Sequence, residues 1–221
     1  MEIREYGNEA SDIVLIQMTA EHENETIKRE FSLIREMTDR DFLLRTYKVN
    51  NWNNDLSPWE APSVFGNERF GGGAAGTLSE VIKDLRGEST LTGTVKDTGN
   101  AEKTYIIGGY SLAGLFALWS AYETDMFKGV AAASPSVWFP GFSDFMGERK
   151  IMAECVYLSL GDREAKARNP VMATVGERIV KARDILAAQS VNCRFEWNEG
   201  NHFKDADLRT AKAFAWVINS L

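Results

Sequence analysis

The stretch Ile106-Ile107-Gly108-Gly109-Tyr110-Ser111-Leu112-Ala113-Gly114-Leu115-Phe116-Ala117-Leu118 decides the fold. With Thr104 and Tyr105 it opens on a short, β-branched apolar run at residues 104–108, the pattern of a buried strand. Residues 112–119 are apolar on every side, which a helix sustains only in a protein interior. Between the two lies Gly109-Tyr110-Ser111-Leu112-Ala113, a serine with small residues two before and two after it. A serine at the apex of so tight a strand-to-helix turn needs a strained backbone, and those flanking positions are pressed together. Ala113 stands where a second glycine is usual. It is still small enough, and Gly114 lies just beyond.

Working outward, residues 13–18, 42–49, 127–133, 155–160 and 191–197 are further strand-like runs. Helical stripes separate them: Ile27, Phe31, Ile34 and Met37; Val171, Val175, Ile179, Ala182 and Leu186; Leu208, Ala211, Phe214, Ala215, Ile218 and Leu221. Six strands interleaved with helices predict an α/β fold: a doubly wound, mostly parallel sheet with helices on both faces. Functional loops then belong at the C-terminal ends of the strands. Residues 50–62 make a polar, aromatic loop long enough to be functional, and any lid is confined to it. The run Gly71-Gly72-Gly73-Ala74-Ala75-Gly76 lacks the Gly-Lys-Ser/Thr ending of a phosphate loop. It reads as a flexible entry into a helix beginning near Thr77, with an anion cradle as the rival.

Composition bounds the rest. At 221 residues, with 44% apolar and 26% charged side chains, the chain is expected to form one domain over residues 1–221. A net charge of −7 argues against a nucleic-acid partner, which calls for a clustered basic face. No run approaches the ~20 apolar residues of a membrane span, and the start Met1-Glu2-Ile3-Arg4-Glu5 lacks the pattern of a signal peptide. A cytoplasmic location without membrane partners is the expectation; the oligomeric state stays open. Cys155 and Cys193 sit in strand-like runs and read as packing residues.

Histidine usage narrows the chemistry. The two histidines are His22 and His202. A nucleophilic serine needs one as general base. His202 follows the last strand within Gly200-Asn201-His202-Phe203, in the chain order serine, acid, histidine. His22, in Glu21-His22-Glu23, reads as a surface or site-rim residue, since no second His or Cys supports a metal site. Two carboxylates follow the fifth strand, Asp162 and Glu164. An acid three residues beyond Gly161 has left the strand and can turn back toward His202, which favours Glu164. Asp162 is expected to cap the following turn.

Together, the 106–118 stretch and Ala132-Ala133-Ser134-Pro135-Ser136-Val137-Trp138 resemble the α/β-hydrolase superfamily. More narrowly they resemble its branch containing esterase D and the enterochelin esterases. Tyr157-Leu158-Ser159-Leu160-Gly161-Asp162-Arg163-Glu164 and Gly200-Asn201-His202-Phe203 are similar to that branch's acid and histidine segments. The resemblance implies a serine hydrolase for a small-molecule ester or related acyl bond, without metal or organic cofactor. The related hydrolases commonly carry the acid three residues after this glycine, again favouring Glu164. The oxyanion is expected to meet the N–H of Leu112 and one from Thr19 or Ala20. Trp52, Trp59 and Trp138, on loops, and Tyr110, beside the serine, are the expected substrate-binding residues. An acyltransferase or peptidase would use the same three residues, and a non-catalytic binding protein could retain the fold.

Overall fold

The computed structural model describes residues 1–21, 23–64, 66–87 and 103–221. His22 lies outside them. In chain order the strands are β1 Glu2–Gly7, β2 Ile13–Thr19, β3 Leu43–Lys48, β4 Glu60–Ala61, β5 Phe70–Gly71, β6 Thr104–Tyr110, β7 Phe127–Ala133, β8 Cys155–Gly161 and β9 Asn192–Asn198. The α-helices are α1 Asn24–Met37, α2 Trp52–Asp55, α3 Ala74–Leu85, α4 Leu112–Glu123, α5 Phe142–Glu148, α6 Val175–Ala188 and α7 Ala206–Ser220. Seven strands form one sheet in the order β1-β3-β2-β6-β7-β8-β9, and β4 pairs with β5 apart from it.

Six of the seven strands run parallel. The seventh, β1, pairs antiparallel with β3 at the edge. The parallel centre is buried on both faces, as such sheets must be. Along β2, Val14, Ile16 and Met18 join the core cluster that contains α3, α4 and α6, while Ile13 and Leu15 join the one that contains α1 and α7. Gly108 of β6 is a close-approach point on the α7 face. A Cβ there would stand 2.6 Å from the Phe214 ring and 2.7 Å from the Ala131 carbonyl oxygen. Cys155 and Cys193 are free. Burial pushes their thiols up, to about 12 and about 11, so neither is a ready nucleophile.

Two local expectations need correction. Helix α3 starts at Ala74 rather than near Thr77, so part of the glycine run is helical. The run's amides are also already bonded: Gly72 N–H donates to Ser57 Oγ at 2.9 Å and Gly73 N–H to the Asn54 carbonyl at 2.8 Å. With those N–H groups turned to the 50–62 segment, the anion-cradle reading loses its donors.

Candidate active site

Chain reversal at the sheet's centre sets the site. From β2 the chain passes to β3 on one side and returns to β6 on the other, and the crevice at such a switch point is where open α/β sheets bind ligands. Ser111 leaves β6 there at φ 58° and ψ −119°, a conformation that costs a non-glycine residue about 1–3 kcal/mol. The surroundings hold it: Ser111 N–H donates to the Ala133 carbonyl at 3.1 Å, and Ser111 O accepts from Leu115 and Ser136, each at 3.0 Å. The small flanking residues meet as the sequence implied. A Cβ on Gly109 would lie 2.8 Å from the Ala113 Cβ, and one on Gly114 would lie 2.9 Å from the Gly109 carbonyl.

Loops after β6, β8 and β9 bring Ser111, Glu164 and His202 together. His202 Nε2 lies 2.9 Å from Ser111 Oγ, and His202 Nδ1 lies 2.7 Å from Glu164 Oε2. A carboxylate only accepts, so the proton between them sits on Nδ1 and leaves Nε2 as an acceptor for the serine hydroxyl. The hydroxyl of Ser136, from the segment after β7, stands 3.4 Å from Ser111 Oγ. Glu164 Oε1 accepts three more hydrogen bonds, from Gly161 N–H at 2.7 Å, Ser134 Oγ at 2.8 Å and Arg209 Nη1 at 3.1 Å. Burial by itself would raise this carboxyl. The bond to and charge of His202, with the Gly161 and Ser134 donors, outweigh it and hold the group below the usual carboxylate range.

Asp162 takes a different place. Its Oδ1 accepts from Gly200 N–H at 2.7 Å, tying the loop before His202 to the end of β8, while its side chain is about half exposed. It does not cap the following turn, which has no side-chain cap.

Arg209, on the first turn of α7, is the residue that sequence reasoning missed. Its side chain is 2% exposed. Besides Glu164 it donates through Nη1 to Tyr110 OH at 3.0 Å and through Nη2 to the Glu199 and Asn201 carbonyls at 3.0 and 3.1 Å. Tyr110 OH in turn donates to the His202 carbonyl at 2.8 Å. One guanidinium fork thus joins the ends of β6, β8 and β9. Removing one partner of a buried ion pair costs about 3–5 kcal/mol. Arg209→Met is expected to lose that much in urea unfolding, and Arg209→Lys, which cannot span the same fork, to recover less than half of it. A loss under about 1 kcal/mol for the methionine variant would contradict this account.

Two cavities flank the Ser111–His202 pair. One, about 290 Å³, is lined by Ser111, Tyr110 and Trp52 together with Gln17, Met18 and residues of α1 and α7. The other, about 220 Å³, is lined by His202, Glu164, Trp138, Met172, Val175 and the 88% exposed Phe203. Trp52 lines the first cavity and Trp138 the second. Trp59 lines neither: its Nε1 donates to the Pro140 carbonyl at 2.9 Å and its ring packs on Phe139, Phe142 and Phe145. It anchors the 50–62 segment to the core. Thr19 and Ala20 line a small cleft with Arg4, Thr46 and Lys48. Of these two expected oxyanion donors, Ala20 N–H already donates to Glu23 Oε2 at 2.7 Å. Leu112 opens α4 immediately after Ser111, and its N–H belongs to the first helical turn, whose amides have no acceptor within the helix. Among the described residues no His, Cys, Asp or Glu cluster could hold a metal ion, and no helix is long and apolar enough to cross a membrane.

No family model and no curated protein matches the chain. Solved structures do. An IroE-like serine hydrolase from Shewanella oneidensis superposes with a TM-score of 0.73 at 13% identity, over 97% of this chain and 74% of its own. The siderophore hydrolase EstA from Aspergillus nidulans gives 0.62 at 17% identity, over 94% and 82%. The enterobactin esterase FES from Shigella flexneri gives 0.58 at 13% identity, over 97% of this chain and 55% of its own. At such identities the likeness speaks for the path of the backbone, and with the strand order described above it means that this chain has the α/β-hydrolase fold.

Proposed function

We propose that the protein is a serine hydrolase that cleaves a carboxylic ester or related acyl bond through an acyl-enzyme. The observation that carries this reading is the continuous line Glu164–His202–Ser111, with contacts of 2.7 and 2.9 Å, ending on a serine held at positive φ. In the proposed mechanism Ser111 Oγ attacks the carbonyl carbon as His202 Nε2 takes its proton. The negative charge forming on the carbonyl oxygen is met by the N–H of Leu112 and the positive end of α4. Collapse breaks the bond to the alcohol, which leaves with the proton from His202. Water then repeats the sequence on the acyl-serine, freeing the acid and restoring the hydroxyl. Glu164 keeps the imidazole in the productive tautomer and stabilises its cation. Arg209 acts one step removed, as a positioning residue for Glu164 and the His202 loop.

The test is labelling with a fluorophosphonate probe, read by intact mass. The wild-type protein is expected to gain one adduct, and Ser111→Ala none. An unlabelled wild-type protein, or equal labelling of the two, would sink the reading.

A further inference from the structure

Ser136 carries a buried hydroxyl for which the mechanism above has no use. The residue is 2% exposed, and among the described residues its Oγ has one partner, Ser111 Oγ at 3.4 Å. Its backbone is tied to the same residue, Ser136 N–H donating to the Ser111 carbonyl at 3.0 Å. The segment that presents it is strained. Ser134, just past the end of β7, stands at φ 42°, a left-handed conformation that persists only where the surroundings enforce it. Here they do: Ser134 N–H donates to the Ser159 carbonyl at 3.0 Å, and Ser134 Oγ donates to Glu164 Oε1 at 2.8 Å. The run Ser134-Pro135-Ser136 thus reaches both ends of the Glu164–His202–Ser111 line, with one serine hydroxyl at each end.

The count of protons gives the second contact its direction. Ser111 directs its single hydroxyl proton to His202 Nε2 at 2.9 Å, so the proton between the two serines is that of Ser136, which donates. Neither of the two cavities beside the site is lined by Ser136, so its hydroxyl faces the nucleophile rather than the substrate. At 3.4 Å the contact is long for an O–H···O bond. Catalytic hydrogen bonds in free enzymes are often long, and a bond to an ionised oxygen draws in to ~2.5–2.7 Å. We propose that Ser136 is a further catalytic residue, whose hydroxyl stabilises the negative charge that develops on Ser111 Oγ in both halves of the reaction. In acylation Oγ passes its proton to Nε2 while its bond to the carbonyl carbon forms. In deacylation, with the water oxygen already on that carbon, the bond to Oγ breaks and its electron pair returns to Oγ. Oγ then takes the proton back from Nε2. Ser136 keeps its own proton throughout. The role rests on Ser111 being the nucleophile.

Ser136→Ala is the test, because it removes the hydroxyl and leaves the backbone bond to Ser111 in place. Two quantities are measured: the rate of fluorophosphonate labelling, and kcat and KM on p-nitrophenyl acetate. Labelling rate and kcat are each expected to fall by about 10–100-fold, less than the 10²–10³-fold typical of a donor to the carbonyl oxygen, because Oγ carries its charge only in passing. The adduct should still reach one per chain. Should the alanine variant melt early, Ser136→Cys keeps nearly the same shape with a weak S–H donor and is expected to lose about fivefold or more in both rates. Rates within about threefold of wild type, or a loss confined to KM, would overturn the proposal. Failure of the hydrolase reading shows separately, as a wild-type protein that gains no adduct at all.

Discussion

Ser111→Ala and His202→Ala are each expected to lower kcat on a p-nitrophenyl ester by about 10⁶-fold, and the double variant to be no worse than either. The non-additivity is the stronger half of this expectation. With the hydroxyl gone, the imidazole has no proton to take. With the imidazole gone, the hydroxyl is a poor nucleophile at neutral pH, so the second deletion removes nothing further. Folding should be little affected. Ser111 Oγ bonds to His202 and, at 3.4 Å, to Ser136, while the strain at φ 58° is shared by alanine and serine alike. Melting temperatures within about 2 °C of wild type, beside the kcat values of the three variants, complete the measurement. Losses that multiply in the double variant would mean that the two residues act independently, against a shared mechanism.

How much of this could be read in the sequence depends on where each residue sits. Strands buried on both faces announce themselves as apolar runs, and the five inner strands of the sheet, together with the half-buried edge strand β9, lie within two residues of their expected ends. Strand β1 is not legible because Glu2-Ile3-Arg4-Glu5-Tyr6-Gly7 is an edge strand whose charges at residues 2, 4 and 5 break up any apolar run, and edges carry charge that resists further pairing. Ser111, Glu164 and His202 were legible because each follows directly on a strand end, where the fold leaves side chains free for chemistry. Trp59 illustrates the opposite limit. A tryptophan in a loop has the same local sequence whether it lines a cavity or pins the loop to the core.

Charged residues inside the protein were the least legible, for a physical reason. A charge on a helix is usually solvated, and the apolar stripes expected for these two helices do not include Arg209 or Glu30. Yet both stand in rows of buried residues: Arg209, Ala213 and Val217 are four apart along α7, and Ile27, Glu30 and Ile34 share one stripe of α1. A charge in line with an apolar row was the available signal. In each case the structure answers with the same device, a partner from another element: Glu164 for Arg209, Gln17 for Glu30.

Glu164→Gln is expected to lower kcat by about 10²–10⁴-fold, the upper figure being the penalty known for a histidine held in the wrong tautomer. The argument rests on the three donors at Oε1. Gly161 N–H, Ser134 Oγ and Arg209 Nη1 all point at that oxygen, so a glutamine must keep its carbonyl there and turn its NH₂ toward His202. Nδ1 then has to accept, the ring proton moves to Nε2, and Nε2 can no longer take the proton of Ser111. The acid limb of stability should change as well. Because Glu164 titrates below the ordinary carboxylate range in the folded protein, its contribution is complete above the unfolded value and is lost as pH falls through the folded one. The stability gap between wild type and Glu164→Gln should therefore narrow as pH falls across that range. Asp162→Asn is the control. Asparagine keeps the oxygen that Gly200 N–H uses, so kcat should stay within about threefold and stability within about 1 kcal/mol. Measuring kcat and urea unfolding for both variants at pH 7 and pH 4 decides the assignment: an inactive Asp162→Asn beside an active Glu164→Gln would reverse it.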